Sequence, residues 1–320
     1  MRFSCMIFHG TWNNRSSLLL RRCPVRNGMR FSAEETMGVW KKLLKRFAVG
    51  AVCFIVLAVF GSNPVMTQSQ RMTTGIIEGI TMVYLPAGSF LMGSNEGPPN
   101  ERPAHTVEIA AFSIGATEIT QGQYKAVTGT NPSNYVGDDN LPVEQVTWYD
   151  AVRFCNLLSD RAGLERCYDE NTWECDTSKN GLRLPTEAEW EYACRAGSTT
   201  AYNTGDTESV LDDTAWYGNI NNGNSYNMPH PVGMWKPNAW GLYDMHGSLW
   251  EWCTDRYRET YNDLIPEGET PGPHKTPTRV MRGGSWISDP EFCRSATRDF
   301  YSPDISYLDL GFRVARSGTR

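Results

Sequence analysis

The apolar segments of this chain are short, and long stretches rich in Asn, Gly, Asp and Pro separate them. Residues 81–94, TMVYLPAGSFLMGS, have strand composition around a Pro-Ala-Gly turn and predict a hairpin. Residues 105–119 predict two further short strands, and residues 311–316 predict a terminal strand. With 11 Trp and 14 Tyr, the chain can still bury a sizeable core. Many short strands between long loops indicate an irregular α+β domain.

Helix starts are the sharpest local signals. Thr120 can cap a short helix, and Thr147 can cap a longer one over Trp148–Ala162, where apolar residues recur at helical spacing. The third start is the strongest, because Thr186 is followed three residues later by Glu189, which completes a capping box. We therefore expect two or three helices among the strands.

The charge is unevenly distributed. Residues 1–61 carry 10 Lys/Arg against two Asp/Glu, while the remaining residues carry 20 against 34. An acidic globular part argues against nucleic-acid binding, which needs a basic footprint. A segment with four Lys/Arg, residues 40–46, precedes an uncharged apolar run of 14 residues, Phe47–Phe60, and this order is typical of a signal peptide. An uncleaved signal anchor is the alternative, and only then would the protein stay at a membrane.

These features divide the chain into four parts. Residues 1–36 are interpreted as a leader or a mis-assigned start, and residues 37–61 as the signal peptide or anchor. Residues 62–78 are polar and predict a linker, and residues 79–316 form the globular domain. We expect the mature protein to be exported to the periplasm or the extracellular space.

Six cysteines follow the signal segment, and an even number in an exported chain favours disulfides. Six cysteines allow 15 connectivities, so the sequence does not determine the pairing. Cys167 and Cys175 flank a predicted hairpin and are the simplest local pair. Cys253 with Cys293 is the next hypothesis, and in that case Cys293 could not bind a metal.

Ordered sequence blocks run through most of residues 79–316. They are GLRLPTEAEWEYACRAG (181–197), WGLYDM (240–245), WEW (250–252), RVMRGGSW (279–286) and LGFRVAR (310–316). Together they resemble the formylglycine-generating enzymes, also called sulfatase-modifying factors. The resemblance implies a C-type-lectin-like α+β fold with little regular secondary structure. It also implies an oxidase that converts a sulfatase cysteine to formylglycine, with copper(I) held by two cysteine thiolates.

The copper ligands are where this chain departs from the family. After GGS the family has C-x4-C, and here Ser288 stands at the first cysteine position. Counting forward from GGS places Cys293 at the second position, whereas counting backward from Pro303 introduces a three-residue deletion and Cys293 then matches neither. Copper(I) prefers soft thiolates, so a serine hydroxyl is a poor replacement. A copper ion at Cys293 would therefore have a single soft protein ligand.

Two further residues match catalytic positions of the family. Ser285 corresponds to the serine beside the oxygen site, although it is equally a turn serine after two glycines. Trp252 corresponds to an active-site aromatic residue, although it is equally well explained as core.

Calcium is the other cofactor that the resemblance implies. Residues 246–251 match a family calcium loop, in which Glu251 would supply a carboxylate and Gly247 and Leu249 would lie beside it. Asn219 and Ile220 match part of a second site. The alternative is a buried glutamate paired with an arginine, with Arg282 and Arg313 as the candidates.

Two functions remain open. The first is an exported, diverged family member without copper chemistry, which binds a peptide or a glycan. The second is an oxidase of a sulfatase cysteine, or a related periplasmic maturation oxidase. The expected partner is accordingly an exported, sulfatase-like protein or peptide, or a glycan.

Overall fold

The computed structural model describes residues 74–218, 228–262 and 277–318, which all fall within the unit Gln68–Arg320. The predicted leader (1–36) and signal segment (37–61) lie outside the described residues. Within the described ranges, no helix is long and apolar enough to cross a membrane.

Three α-helices form where the capping signals predict them. They are α1 (Gln121–Thr128), α2 (Trp148–Arg161) and α3 (Glu187–Arg195). Each N-cap threonine accepts a hydrogen bond from the third helical amide, and the third side chain accepts one from the threonine amide. Two otherwise unpaired donors are satisfied at each helix start, which explains why these predictions are confirmed.

Eleven strands form three sheets in the described part of the chain. A five-stranded sheet has the order β1-β2-β5-β11-β6, a four-stranded sheet has the order β10-β7-β8-β9, and β3 pairs with β4. The strands are β1 (Thr74–Ile77), β2 (Ile80–Leu85), β3 (Gly88–Met92), β4 (His105–Ile109), β5 (Phe112–Gly115), β6 (Leu182–Arg183), β7 (Trp250–Arg256), β8 (Arg279–Arg282), β9 (Arg298–Tyr301), β10 (Leu310–Gly311) and β11 (Ala315–Ser317).

The hairpin predicted over residues 81–94 is wrong. Both strands exist, but β2 pairs with β1 and β5, while β3 pairs with β4. The two strands therefore belong to different sheets, and the Pro-Ala-Gly turn carries the chain from one sheet to the other. A local turn signal says that the chain bends, but it does not say which strand becomes the neighbour.

Strand β1 lies inside the segment predicted as a linker (62–78), so the domain extends further upstream than expected. It forms a tight hairpin with β2, in which Ile77 lies opposite Ile80. The two turn residues, Glu78 and Gly79, have φ of 48° and 80°, as a two-residue hairpin turn requires. The apolar signal of this strand is weak, because Ile76 is exposed and Ile77 is only partly buried against the core.

Helix α3 connects the sheets through buried ion pairs. Its three glutamates bind arginines from other elements: Glu187 with Arg298 on β9, Glu189 with Arg183 on β6, and Glu191 with Arg282 on β8. All six side chains are nearly or fully buried. These contacts fix the position of β8, which leads directly into the Gly-Gly-Ser segment.

Candidate functional site

The Gly-Gly-Ser segment turns sharply at the end of β8. Gly283 and Gly284 have φ of 103° and 73° and deliver Ser285 into the interior. The Ser288 hydroxyl oxygen accepts a hydrogen bond from the Ser285 amide at 3.0 Å and lies 3.0 Å from the Ser285 hydroxyl. The Ser285 hydroxyl donates to Asp309 Oδ2 at 2.8 Å. Both predicted serines thus take part in one hydrogen-bonded turn.

Cys293 ends a 3-10 helix, Pro290–Cys293, and is fully buried. Its thiol belongs to a small core with Tyr202, Leu211 and Tyr217. A Cβ atom added to Gly284 would lie 2.7 Å from Cys293 Sγ, so the sulfur packs directly against the turn. Burial raises the pKa of the Cys293 thiol far above its usual range, and nearby Asp289 adds to the effect. The neutral thiol is therefore the favoured form.

Trp252 is also a core residue in this structure. It has no exposed surface, and its indole N–H donates to the Val146 carbonyl at 3.1 Å. Its predicted role as an active-site aromatic residue is not supported, because no face of the ring is open to a substrate.

A two-thiolate copper(I) site does not fit these residues. Ser288 offers a hydroxyl that is already hydrogen-bonded, and Cys293 offers a buried neutral thiol. A two-coordinate copper(I) site of this kind needs two deprotonated thiolates as ligands.

The predicted disulfides are absent, since all six described cysteines are free. Cys167 and Cys175 do flank a hairpin-like turn, in which Tyr168 bridges to Cys175. Cys253 packs beside Trp190 and Val280, in a different core cluster from Cys293, so the predicted Cys253–Cys293 pair is wrong here. Spacing along the chain could not reveal this separation.

Glu251, the predicted calcium ligand, is fully engaged by protein groups. Arg313 binds both carboxylate oxygens, each at 2.6 Å, and the Trp190 indole N–H donates at 2.8 Å. The alternative of a buried glutamate paired with Arg313 is therefore the observed one. Gly247 and Leu249 lie in the adjoining turn, where their amides donate to Gly283 O and Glu118 Oε1. Asn219 and Ile220 lie outside the described residues.

An acidic group missed by the sequence reasoning surrounds this ion pair. Glu118 and Asp244 are buried near Glu251, which places three carboxylates beside one arginine. Burial, reinforced by the other carboxylates, raises the pKa of Glu118 well above its usual range. Burial likewise raises the pKa of Asp244 to about 6. Their positions, far apart in sequence, gave no local signal.

By strict hydrogen-bond geometry, Glu118 Oε2, Asp244 Oδ1 and Ser248 Oγ have no partner in the described structure, although the Ser248 hydroxyl lies close enough to the Glu118 carboxyl to lower its pKa slightly. Uncompensated oxygen ligands of this kind suit a hard cation such as calcium. Within the described ranges, no group of three His, Cys, Asp or Glu side chains is arranged so that it could hold a metal ion by itself. A cation would therefore also need backbone carbonyls.

An aromatic cluster includes Trp286, the residue that follows the Gly-Gly-Ser segment. His230 stacks on Trp216 with ring centroids 3.6 Å apart, and Trp235 lies 5.0 Å from Trp216. Trp286 and Tyr135 meet edge to face. This grouping was also missed, because its members come from four separate loops.

An open cleft of about 1160 Å³ lies beside the Pro290–Cys293 helix. Its three arginines are held in ion pairs: Arg195 with Glu191, Arg294 with Glu101, and Arg298 with Glu187. Aromatic side chains of Tyr257, Phe292 and Phe300 also line it. Four exposed carboxylates stand on its walls: Glu96, Asp206, Glu259 and Glu291.

Comparison with known proteins identifies the fold. Residues 68–318 match the family model of the sulfatase-modifying factor enzyme 1-like domain. The chain belongs to this family. The domain therefore has the formylglycine-generating-enzyme fold, a C-type-lectin-like α+β arrangement, as the sequence blocks predict.

Relatives of this sulfatase-modifying factor domain carry different names. The chain is 33% identical to the chaperone protein LppX of Paenibacillus barcinonensis, over 66% of this chain and 82% of that protein. It is 31% identical to the formylglycine-generating enzyme of Mycobacterium tuberculosis, over 72% and 96%. Among solved structures, Treponema denticola variable protein 1 is 35% identical, with a TM-score of 0.66, over 77% of this chain and 99% of that one.

Proposed function

We propose that this domain is a peptide-binding module of the cell envelope that lacks copper oxidase chemistry. The observation that carries the proposal is the state of the two copper positions. Ser288 replaces one thiolate, and Cys293 is sealed in the core with a raised pKa. A family relative named as a chaperone is compatible with a role in binding rather than oxidation.

The open cleft favours a basic, extended peptide. Each arginine of the cleft is already paired, and the exposed charged side chains on its walls are the four carboxylates. Lys or Arg side chains of a ligand would meet this negative surface, and the exposed ring of Phe292 offers apolar contact. A neutral glycan could use these carboxylates only as hydrogen-bond acceptors for its hydroxyls, without the charge attraction that a basic peptide adds.

Export remains part of the proposal. A basic segment followed by Phe47–Phe60 would direct the domain out of the cytoplasm, where a sulfatase-like protein or another exported peptide would meet it. Terminal sequencing of the protein recovered from the periplasm tests this. A mature terminus near residue 62 is expected, whereas an intact apolar run in the membrane fraction would indicate an anchor.

Calcium is proposed as a structural cofactor of the acidic group, with Glu118, Asp244 and Ser248 supplying oxygens. Bound calcium would favour the ionised forms of Glu118 and Asp244, whose pKa values burial raises in its absence. Calorimetric titration of EDTA-treated protein is expected to show one site, and Glu118→Gln should abolish it. Absence of binding to the wild-type protein would contradict the proposal.

Copper titration separates a binding module from an oxidase. The full chain is titrated with copper(I) against a chelating competitor, and oxygen uptake is followed with a cysteine-containing sulfatase peptide. Weak copper binding and no uptake above background are expected. Stoichiometric tight copper with oxidation of the peptide would overturn the proposal in favour of the oxidase.

Peptide binding is tested with fluorescent hexapeptides that differ only in charge. Lys-rich peptides should bind more tightly than Glu-rich ones, and Glu291→Lys or Glu259→Lys should weaken the binding several-fold. Glu165→Lys, at an exposed acid outside the cleft, is the matched control. Preference for neutral oligosaccharides over every peptide would identify a glycan-binding module instead.

A further inference from the structure

A second cavity, of about 530 Å³, lies apart from the proposed peptide cleft. It opens between the end of β7, the start of β8 and the turn that contains Trp173 and Cys175. Arg298 lines both cavities and separates them. The walls of the second cavity carry four arginines and three carboxylates, which are Arg256, Arg258, Arg279, Arg298, Glu174, Glu187 and Asp255.

Arg279 is the unusual member of this set. Its residue is 8% exposed, and its guanidinium carbon lies 3.9 Å from the ring centroid of Trp148. Its side chain makes one hydrogen bond in the described structure, from NH1 to the Thr254 carbonyl at 2.7 Å. Its Nε–H is buried and has no acceptor. Most of the five N–H donors of this guanidinium are thus unused.

Other buried arginines of the described ranges each bind a carboxylate, as Arg282 does with Glu191 and Arg313 with Glu251. Arg279 has no carboxylate within ion-pair distance in the same ranges. A buried charge without a counter-ion is costly, and stacking on an aromatic ring recovers only part of that cost. Burial and the neighbouring Arg256 accordingly lower the pKa of Arg279.

None of the carboxylates around the cavity forms an ion pair with this guanidinium, although Glu174 and Asp255 lie near enough to attract it. Glu174 binds Arg256 at 2.8 Å, and Glu187 binds Arg298. Asp255 accepts a hydrogen bond from the Glu187 amide at 2.7 Å, and burial raises the pKa of Asp255 to about 6. Glu174 and Glu187 are therefore each engaged by another arginine, and Asp255 is directed to a backbone amide.

We propose that this cavity is an oxyanion-binding site, in which Arg279 holds a carboxylate or a sulfate group with help from Arg256 and Arg258. Stacking on Trp148 fixes the plane of the Arg279 guanidinium, so its N–H donors are oriented before the ligand binds. Paired N–H donors match two oxygens of a carboxylate or a sulfate. The cavity volume accommodates a group of the size of one or two amino-acid residues.

The site is independent of the peptide cleft, because its central residues do not line that cleft. The experiment uses the full chain, at an ionic strength held constant with chloride. Sulfate and acetate are titrated separately while the thermal unfolding temperature is followed. Each anion is expected to raise this temperature until the site is saturated. The anion that binds more tightly indicates whether the natural ligand carries a sulfate or a carboxylate group.

Variants locate the site. Arg279→Lys keeps the positive charge but removes the paired N–H donors of the guanidinium, and should weaken anion binding at least tenfold. Arg256→Gln should weaken it several-fold, whereas Arg166→Gln, at an exposed arginine outside the cavity, should leave it unchanged. If Arg279→Lys does not fold, the double variant Arg256→Gln/Arg258→Gln decides. A response that follows ionic strength alone, or that survives these substitutions, overturns the proposal.

Discussion

Glu251 and Arg313 form a two-fold hydrogen-bonded ion pair with both side chains fully removed from solvent. Arg313 also donates to the Gly115 and Tyr243 carbonyls, so it joins β7 to β5 and to the turn before the acidic group. The pair occupies the place where the family resemblance predicts calcium. Glu251 therefore has a structural role whether or not a cation binds nearby.

Glu251→Gln should strongly destabilise the domain. The substitution removes the carboxylate that Arg313 hydrogen-bonds, while Glu118 and Asp244 lie near Arg313 without bonding it, and loss of one partner of a buried pair typically costs about 3–5 kcal/mol of the free energy of unfolding. Urea unfolding followed by tryptophan fluorescence measures the change. Asp213→Asn is the control, because its pair with Lys236 is exposed and should contribute less than about 1 kcal/mol. Equal effects of the two substitutions would contradict this role.

Asp244→Asn should change how stability depends on pH. The pKa of Asp244 is raised to about 6 in the folded protein, above its unfolded value of about 4. Between these values the unfolded chain releases the proton and the folded chain keeps it, so the wild-type protein loses stability as pH rises. A shift of about two pKa units corresponds to about 3 kcal/mol.

The measurement is the free energy of unfolding of both proteins in EDTA, at several pH values between 4 and 7. As pH rises through this window, the free energy of unfolding of the variant should increase relative to that of the wild-type protein. The Asn side chain can still accept the hydrogen bond from the Gly233 amide. A difference that does not vary with pH would show that the folded pKa is not raised. Added calcium should reverse the order if the proposed cation binds.

Local chemistry explains what the sequence predicted well. The capping threonines at 120, 147 and 186 act within three residues of each helix start, so neighbouring residues alone determine them. The sheet order depends instead on partners far apart in sequence. Strand β11, for example, lies between β5 and β6, and no turn signal connects those elements.

The candidate site likewise has features that the sequence predicts and features that only the fold reveals. The sequence alone shows that Ser288 stands where the family resemblance predicts the first copper cysteine. Burial of Cys293 is not visible in the sequence, because it depends on Tyr202 and Tyr217 from a distant loop. Glu118 reaches the Leu249 amide across 131 positions, so the acidic group has no sequence pattern.

Thiol labelling should distinguish the cysteines by burial. Cys175 is the half-buried cysteine of the described six, and it lines the second cavity, although burial raises its pKa to about 11. Peptide-resolved mass spectrometry after brief alkylation at pH 8 should show slow modification of Cys175 and protection of Cys293. In urea both should react fully. Rapid native labelling of Cys293 would contradict its burial and reopen the copper hypothesis.

Gly247→Ala should be far more damaging than Gly129→Ala. Both glycines have left-handed φ, 80° and 84°, so backbone strain of about 1 kcal/mol is common to the two variants. A Cβ atom at 247 would lie 2.0 Å from the Trp216 carbonyl oxygen, whereas nothing lies within 4 Å at 129. The crowded site should therefore cost about 1–3 kcal/mol more. Urea unfolding measures both variants, and equal losses would show that the Gly247 turn can move away from Trp216 without cost.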